Sequence, residues 1–132
     1  MAIDYGDTRT GIAFCDKNEI LASPYTVITE KYQPKLIEKI TEIISLEKPE
    51  KVVIGLPRNM DGSYGYRSDE CKSLGDELLK VIDIPVEYQD ERLTTVMAHN
   101  ALNDNNVRGK KRKEIVDAVS AVMILQSYID NK

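Results

Sequence analysis

Tryptophan is absent from this chain, histidine and phenylalanine occur once each, and cysteine occurs twice. Each scarcity removes a class of chemistry. One histidine, His99, and two cysteines in different segments, Cys15 and Cys71, match no ligand spacing and predict no zinc centre. The two thiols are expected to be reduced and inert. A lone imidazole is a poor basis for nucleophile activation. No apolar run approaches the roughly 20 residues that span a bilayer, which predicts no membrane partner. Residues 1–6 carry Asp4 and no basic stretch, so the sequence predicts no secretory signal and a cytoplasmic address. Metal chemistry is left to carboxylates, which favour hard cations such as Mg2+ or Mn2+.

The 132 residues fit one domain spanning 1–132. At that size a chain buries roughly two-thirds of its unfolded surface and needs no disulfide staple. Hydrophobic residues at 42% and charged residues at 30% are too apolar a mixture for disorder. The net charge is −4, but residues 108–113, RGKKRK, hold five of the 18 Lys and Arg. Without those five the remainder sums to −4 − 5 = −9. A cationic patch on an acidic body suits a polyanionic partner.

Hydrophobic periodicity orders the chain. Residues 1–5, 10–16 and 24–29 read as three strands with short connections, predicting an antiparallel meander. Leu36, Ile37, Ile40, Ile43 and Ile44 then recur at helical spacing, with Pro34 suited to the first turn and an end before Pro49. Residues 51–55, KVVIG, read as a buried strand, and 57–65 as a turn-rich loop. A helix is predicted over about 67–82 with Leu74, Leu78 and Leu79 apolar, then a strand over 85–88. Thr94 suits the cap of a helix to Leu102, 103–109 reads as a loop, and a last helix runs over about 111–129. Ile115, Val119, Val122 and Ile129 are expected to face the core. The class is α/β, with a mixed sheet of about five strands flanked by helices.

Three acids stand out by position. Asp4 lies in the first strand, Glu91 ends the last strand, and Asp117 sits in the final helix after the basic run. Sites in parallel-type sheets gather at strand C-termini, and a helix packed across the sheet brings Asp117 to that end. Each acid also has a plain reading. Asp4 is a turn acid, although a charge in an apolar strand is costly unless paired or liganding. Glu91 pairs with Arg92 at the surface. Asp117 is an exposed helix acid, four residues after Lys113 and four before Ala121. Residues 4–11, DYGDTRTG, form a glycine-bounded hairpin that suits a phosphate, but glycines also simply make turns. The 108–113 run reads as a solvated helix start, yet positive charge there opposes the helix dipole, which favours a phosphate-binding role. Tyr64 and Tyr66 suit base stacking or, more readily, surface packing.

Together IDYGDTRTGIAFCD (3–16), VVIGLPRNMDGSYGYRSDE (52–70), DERLTTVMAHNAL (90–102) and KKRKEIVDAVSAVMILQSYID (110–130) resemble the YqgF family in the family's order. Its members are named as pre-16S rRNA nucleases and formerly as Holliday-junction resolvases. The resemblance implies an RNase H-like fold and an acidic metal site made of Asp4, Glu91 and Asp117, with Asp90 the less favoured second acid. Thr10 stands where the family usually has an aliphatic residue, and fewer residues than usual precede the DYG motif.

The implied chemistry is phosphodiester hydrolysis with one or two Mg2+ or Mn2+ ions. Arg9, Arg58 and Arg92 are candidates to hold the scissile phosphate, and Lys110, Lys111, Arg112 and Lys113 to hold flanking backbone. The expected substrate is pre-rRNA, in or near a preribosomal particle, with the chain a monomer or weak homodimer. Alternatives are a resolvase of four-way DNA, which needs two active sites, and a non-catalytic RNA-binding adaptor. The DYGDTRTG hairpin also resembles the phosphate loop of the actin and sugar-kinase superfamily, but one short chain lacks the second half that those proteins use.

Overall fold

The computed structural model describes residues 1–6, 8–16, 18, 20–57, 65–90 and 109–130. Their elements, in chain order, are β1 (Ala2–Asp4), β2 (Arg9–Cys15), β3 (Ala22–Thr29), α1 (Gln33–Glu47), β4 (Val52–Leu56), α2 (Tyr66–Leu79), β5 (Val86–Asp90) and α3 (Gly109–Asp130). The strands form one sheet in the order β3-β2-β1-β4-β5. β1, β2 and β3 pair antiparallel, as the short connections predict, while β1, β4 and β5 run parallel. The parallel pairs need crossovers, which α1 and α2 supply.

Strand alternation divides the core in two. Ile3, Ile12, Ile28, Val52, Ile54 and Leu56 point to one face and pack against Leu36 and Ile40 of α1 and Cys71, Leu74 and Leu78 of α2. Ala2, Ala13, Ala22 and Val53 point to the other and meet Ala121, Ile124 and Leu125 of α3. β4 is buried along its whole length because both of its faces are covered. Fully burying each large aliphatic side chain contributes about 1.5–3 kcal/mol.

Local chemistry sets the element ends. α1 begins at Gln33 with Pro34 behind it, and stops where Lys48 turns left-handed at φ 52° ahead of Pro49. The Lys48 N–H still donates to the Ile44 carbonyl at 2.8 Å, closing the last turn. β3 begins at Ala22 rather than 24. Pro24 is tolerated there because β3 is an edge strand. A register shift between Ile12 and Ala13 leaves Tyr25 as the extra residue of a bulge. Its ring meets Phe14 edge-on at 4.9 Å.

Two expectations about element ends are corrected. α2 ends at Leu79, not near 82, and Leu79 itself is exposed. Gly109 opens α3 instead of closing a loop. Among the described side chains of α3, Ser120, Ala121, Ile124 and Leu125 are buried, Val122 and Ile129 pack partly buried against that cluster as expected, Val119 is half-buried, and the side chain of Ile115 lies outside the description. Both cysteines are free thiols, Cys71 buried and Cys15 half-buried. No helix among the described residues is long and apolar enough to cross a membrane. The expected helix from Thr94 to Leu102, Tyr64 and His99 lie outside the described residues.

Candidate active site

Asp4 is the last residue of β1, the central strand, and pairs with Gly11 of β2. Its neighbours Ala2 and Ile3 are fully buried, while Asp4 is half-buried at the strand's end. Alternation puts Asp4 with Ala2 on the face that α3 covers.

β5 ends at the same edge. Ile3 pairs with Ile54 and Ile54 with Tyr88, so Asp4 stands level with Gln89, and Asp90 ends β5 one residue further along. β1 and β5 are two strand spacings apart, roughly 10 Å. Tyr88 turns towards α2: its hydroxyl lies 3.4 Å from the Lys72 carbonyl, and burial, with Asp76 and Cys71 nearby, raises its pKa. Gln89 turns to the other face and donates to the Ser127 hydroxyl of α3 at 3.2 Å. Glu91, the next residue after β5, lies outside the described residues.

α3 crosses this face with its C-terminal half tied to both edge strands. The Gln126 side chain accepts from the Ala22 N–H and donates to the Ile20 carbonyl, both at 2.9 Å. Lys51, just before β4, donates to the Tyr128 hydroxyl at 2.9 Å and pairs with Glu87 at 3.2 Å, and Tyr128 donates to Glu87. The Tyr128 bond, then Glu87, hold the Lys51 ammonium above its usual pKa. These contacts, with Gln89, fix the C-terminal half of α3 against β3 and β5. Asp117 lies in the N-terminal half, one turn before Ala121.

The cations divide similarly. Arg9 opens β2, half-buried, and shares alternation with Ala13 on the α3 face. Lys110, Lys111, Arg112 and Lys113 occupy the opening turns of α3, whose first turn has no acid to offset them. Arg58 and Arg92 lie outside the described residues. Among the described residues no three metal-donor side chains gather. Of the three predicted acids, only the side chain of Asp4 is described. One polar residue near Asp4 escaped the sequence reading: Arg67 of α2, which reaches the Tyr5 carbonyl.

A mixed sheet in this order, with an acid ending its central strand and a helix laid across that face, defines an RNase H-like α/β protein. The solved structure of Thermus thermophilus RuvC with a Holliday junction substrate shares this fold, with a TM-score of 0.59, 13% identity, and coverage of 97% of this chain and 93% of that one. A second RuvC structure from T. thermophilus gives a TM-score of 0.57 at 13% identity, covering 97% and 94%. The chain belongs to the RuvX family, described as Holliday junction resolvase, whose model matches residues 1–131. Among its relatives, a Halothermothrix orenii protein named "Putative pre-16S rRNA nuclease" is 41% identical over 98% of this chain and 93% of its own length. A Protochlamydia amoebophila protein of the same name is 42% identical over 100% of this chain and 93% of its own length.

Proposed function

We propose that residues 1–132 form one nuclease domain that hydrolyses phosphodiester bonds in the 5′ region of pre-16S rRNA, in the cytoplasm. The observation that carries this reading is Asp4: a half-buried carboxylate ending the central strand, on the alanine-lined face that α3 covers. The names of the full-length relatives support the rRNA substrate.

Asp4, Glu91 and Asp117 are the proposed metal ligands and catalytic groups. The resemblance of residues 90–92 to the family's DER motif favours Glu91 over Asp90. Ala121, Ile124 and Leu125 stand four, seven and eight positions after Asp117, the spacing of one helix face. An all-carboxylate donor set fits Mg2+ or Mn2+. One or two such ions, when bound, supply a water of lowered pKa and charge stabilisation for the leaving oxygen. The chain's own residues do the rest. The carboxylates orient the reacting phosphate's surroundings, and Arg9, Arg58 and Arg92 grip phosphate oxygens. Lys110, Lys111, Arg112 and Lys113 hold flanking backbone and make affinity fall with salt.

A second reading, cleavage of branched DNA, is favoured by the family description and requires two copies of the chain for paired cuts. The test offers a 5′-extended small-subunit rRNA precursor, a four-way DNA junction and a single-stranded RNA to the same preparation. Selective cutting of the precursor is the expected result. Cutting of the junction alone moves the function to DNA and predicts a dimer. Binding to RNA without cutting of any substrate leaves an adaptor.

A further inference from the structure

Arg67 sits in the first turn of α2, where a cation opposes the helix dipole. Its contacts explain its presence. Nη2 donates to the Tyr5 carbonyl at 2.6 Å, and Nη1 donates to Glu70 at 2.9 Å, one turn further along. The guanidinium also lies over the Tyr5 ring, 5.6 Å from its centre. Tyr5 is therefore held at both ring and backbone, and it is the residue immediately after Asp4.

That hold matters because of how β1 ends. β1 has three residues, and Asp4 is the last of them. Strand ends fray unless something fixes the next residue. The return to β2 is tight: a side chain at Gly6 would run into the Arg9 carbonyl. The Thr8 carbonyl on the far side of this turn is anchored by the Glu30 N–H at 2.9 Å. Arg67 supplies the corresponding anchor on the Asp4 side. Tyr5 packs with the α1 and α2 core, on the sheet face opposite Asp4. Arg67 thus acts from behind the strand.

We infer that Arg67 is a positioning residue, which clamps Tyr5 so that Asp4 is presented at a fixed edge; this rests on the reading of Asp4 as a site carboxylate. The forked guanidinium serves Tyr5 and Glu70 at once, a geometry that lysine cannot reproduce.

The test compares wild type, Arg67→Gln and Arg67→Lys in three measurements. The first is hydrogen–deuterium exchange over residues 1–14. The second is single-turnover cleavage of whichever labelled substrate the wild type cuts, the rRNA precursor or the DNA junction. The third is affinity for that substrate in EDTA. Arg67→Gln is expected to speed exchange around residues 4–9 and slow cleavage by about 10- to 100-fold, the usual cost of losing a group that orients a site carboxylate. Its affinity stays within about twofold, and Arg67→Lys falls in between. Wild-type exchange and cleavage in Arg67→Gln overturn the inference. So does weaker binding with a salt slope reduced by about one, which makes Arg67 a phosphate contact. Should Arg67→Gln not fold, Arg67→Lys and Glu70→Gln carry the same comparison, with smaller expected losses. A wild-type chain that cuts nothing removes the reading of Asp4, and the positioning role falls with it; that result is read in the wild-type lane alone.

Discussion

The two faces of the sheet are built from different residues. The face under α1 and α2 is filled by Ile3, Ile12, Ile28, Ile54, Leu74 and Leu78. On the face under α3 the strands offer only Ala2, Ala13, Ala22 and Val53, which meet Ala121, Ile124 and Leu125. Large side chains bury more apolar area, so most of the hydrophobic stabilisation lies on the first face. Small ones let a helix lie close to the strands and leave room for a carboxylate at the edge. β1 divides these roles within three residues, since Ile3 faces the large core and Asp4 the alanine side. With Asp4 as the proposed site carboxylate, stability and chemistry fall on opposite sides of the same strand.

Substitutions at neighbouring positions sharpen this contrast. The largest effect is expected from Asp4→Asn, which should lower the cleavage rate by at least about 100-fold, beyond the range for a group that only orients a ligand. Its thermal midpoint should stay within a few degrees. Ile3→Ala, one residue away, should do the reverse: lose about 2–5 kcal/mol in urea unfolding, with the folded fraction still cleaving. Next comes the pair on β2. Ile12→Ala opens a cavity in the large core, whereas Ala13→Leu overfills the α3 face and costs about 1–3 kcal/mol. Only Ala13→Leu should also depress the rate per folded molecule, because it pushes α3 from β1. Equal activity in the two folded variants would break the division of labour.

The smallest effect concerns a residue that suits neither role. Thr10 is fully buried on the large-residue face, and its hydroxyl has no hydrogen-bond partner among the described residues. An unsatisfied buried hydroxyl costs about 1–3 kcal/mol, so Thr10→Val should raise stability by about 1 kcal/mol. Calorimetry should show a higher midpoint and unchanged cleavage.

Most elements were legible in the sequence because their periods are clean. Leu36 and Ile40 mark a helix, and VVIGL marks a strand covered on both sides. The buried stripe of α3 was only partly legible: Val122 and Ile129 do pack on the core. A hydrophobicity count favours Val119 and Val122, but the opposing surface is alanine-lined, and it takes Ser120 and Ala121 at close range. The size of one surface decides the residues of the other, and no single segment contains both. Asp4 stood out because a charge ending an apolar strand needs a reason. Arg67 was missed, although a cation in a first helical turn carries the same dipole cost that drew attention to residues 108–113. Its partner, the Tyr5 carbonyl, is 62 residues away and invisible to local pattern.

Carboxylates on the α3 face are proposed to make this chain a metal-dependent nuclease. The most direct measurement is cleavage of the rRNA precursor in Mn2+ and in EDTA by wild type, Asp4→Asn, Asp90→Asn, Glu91→Gln and Asp117→Asn. Wild type and Asp90→Asn should cut in Mn2+ and not in EDTA, and the other three variants should not cut but should still bind the RNA. Wild-type cleavage in EDTA, or an undiminished rate in Asp4→Asn, would contradict that proposal.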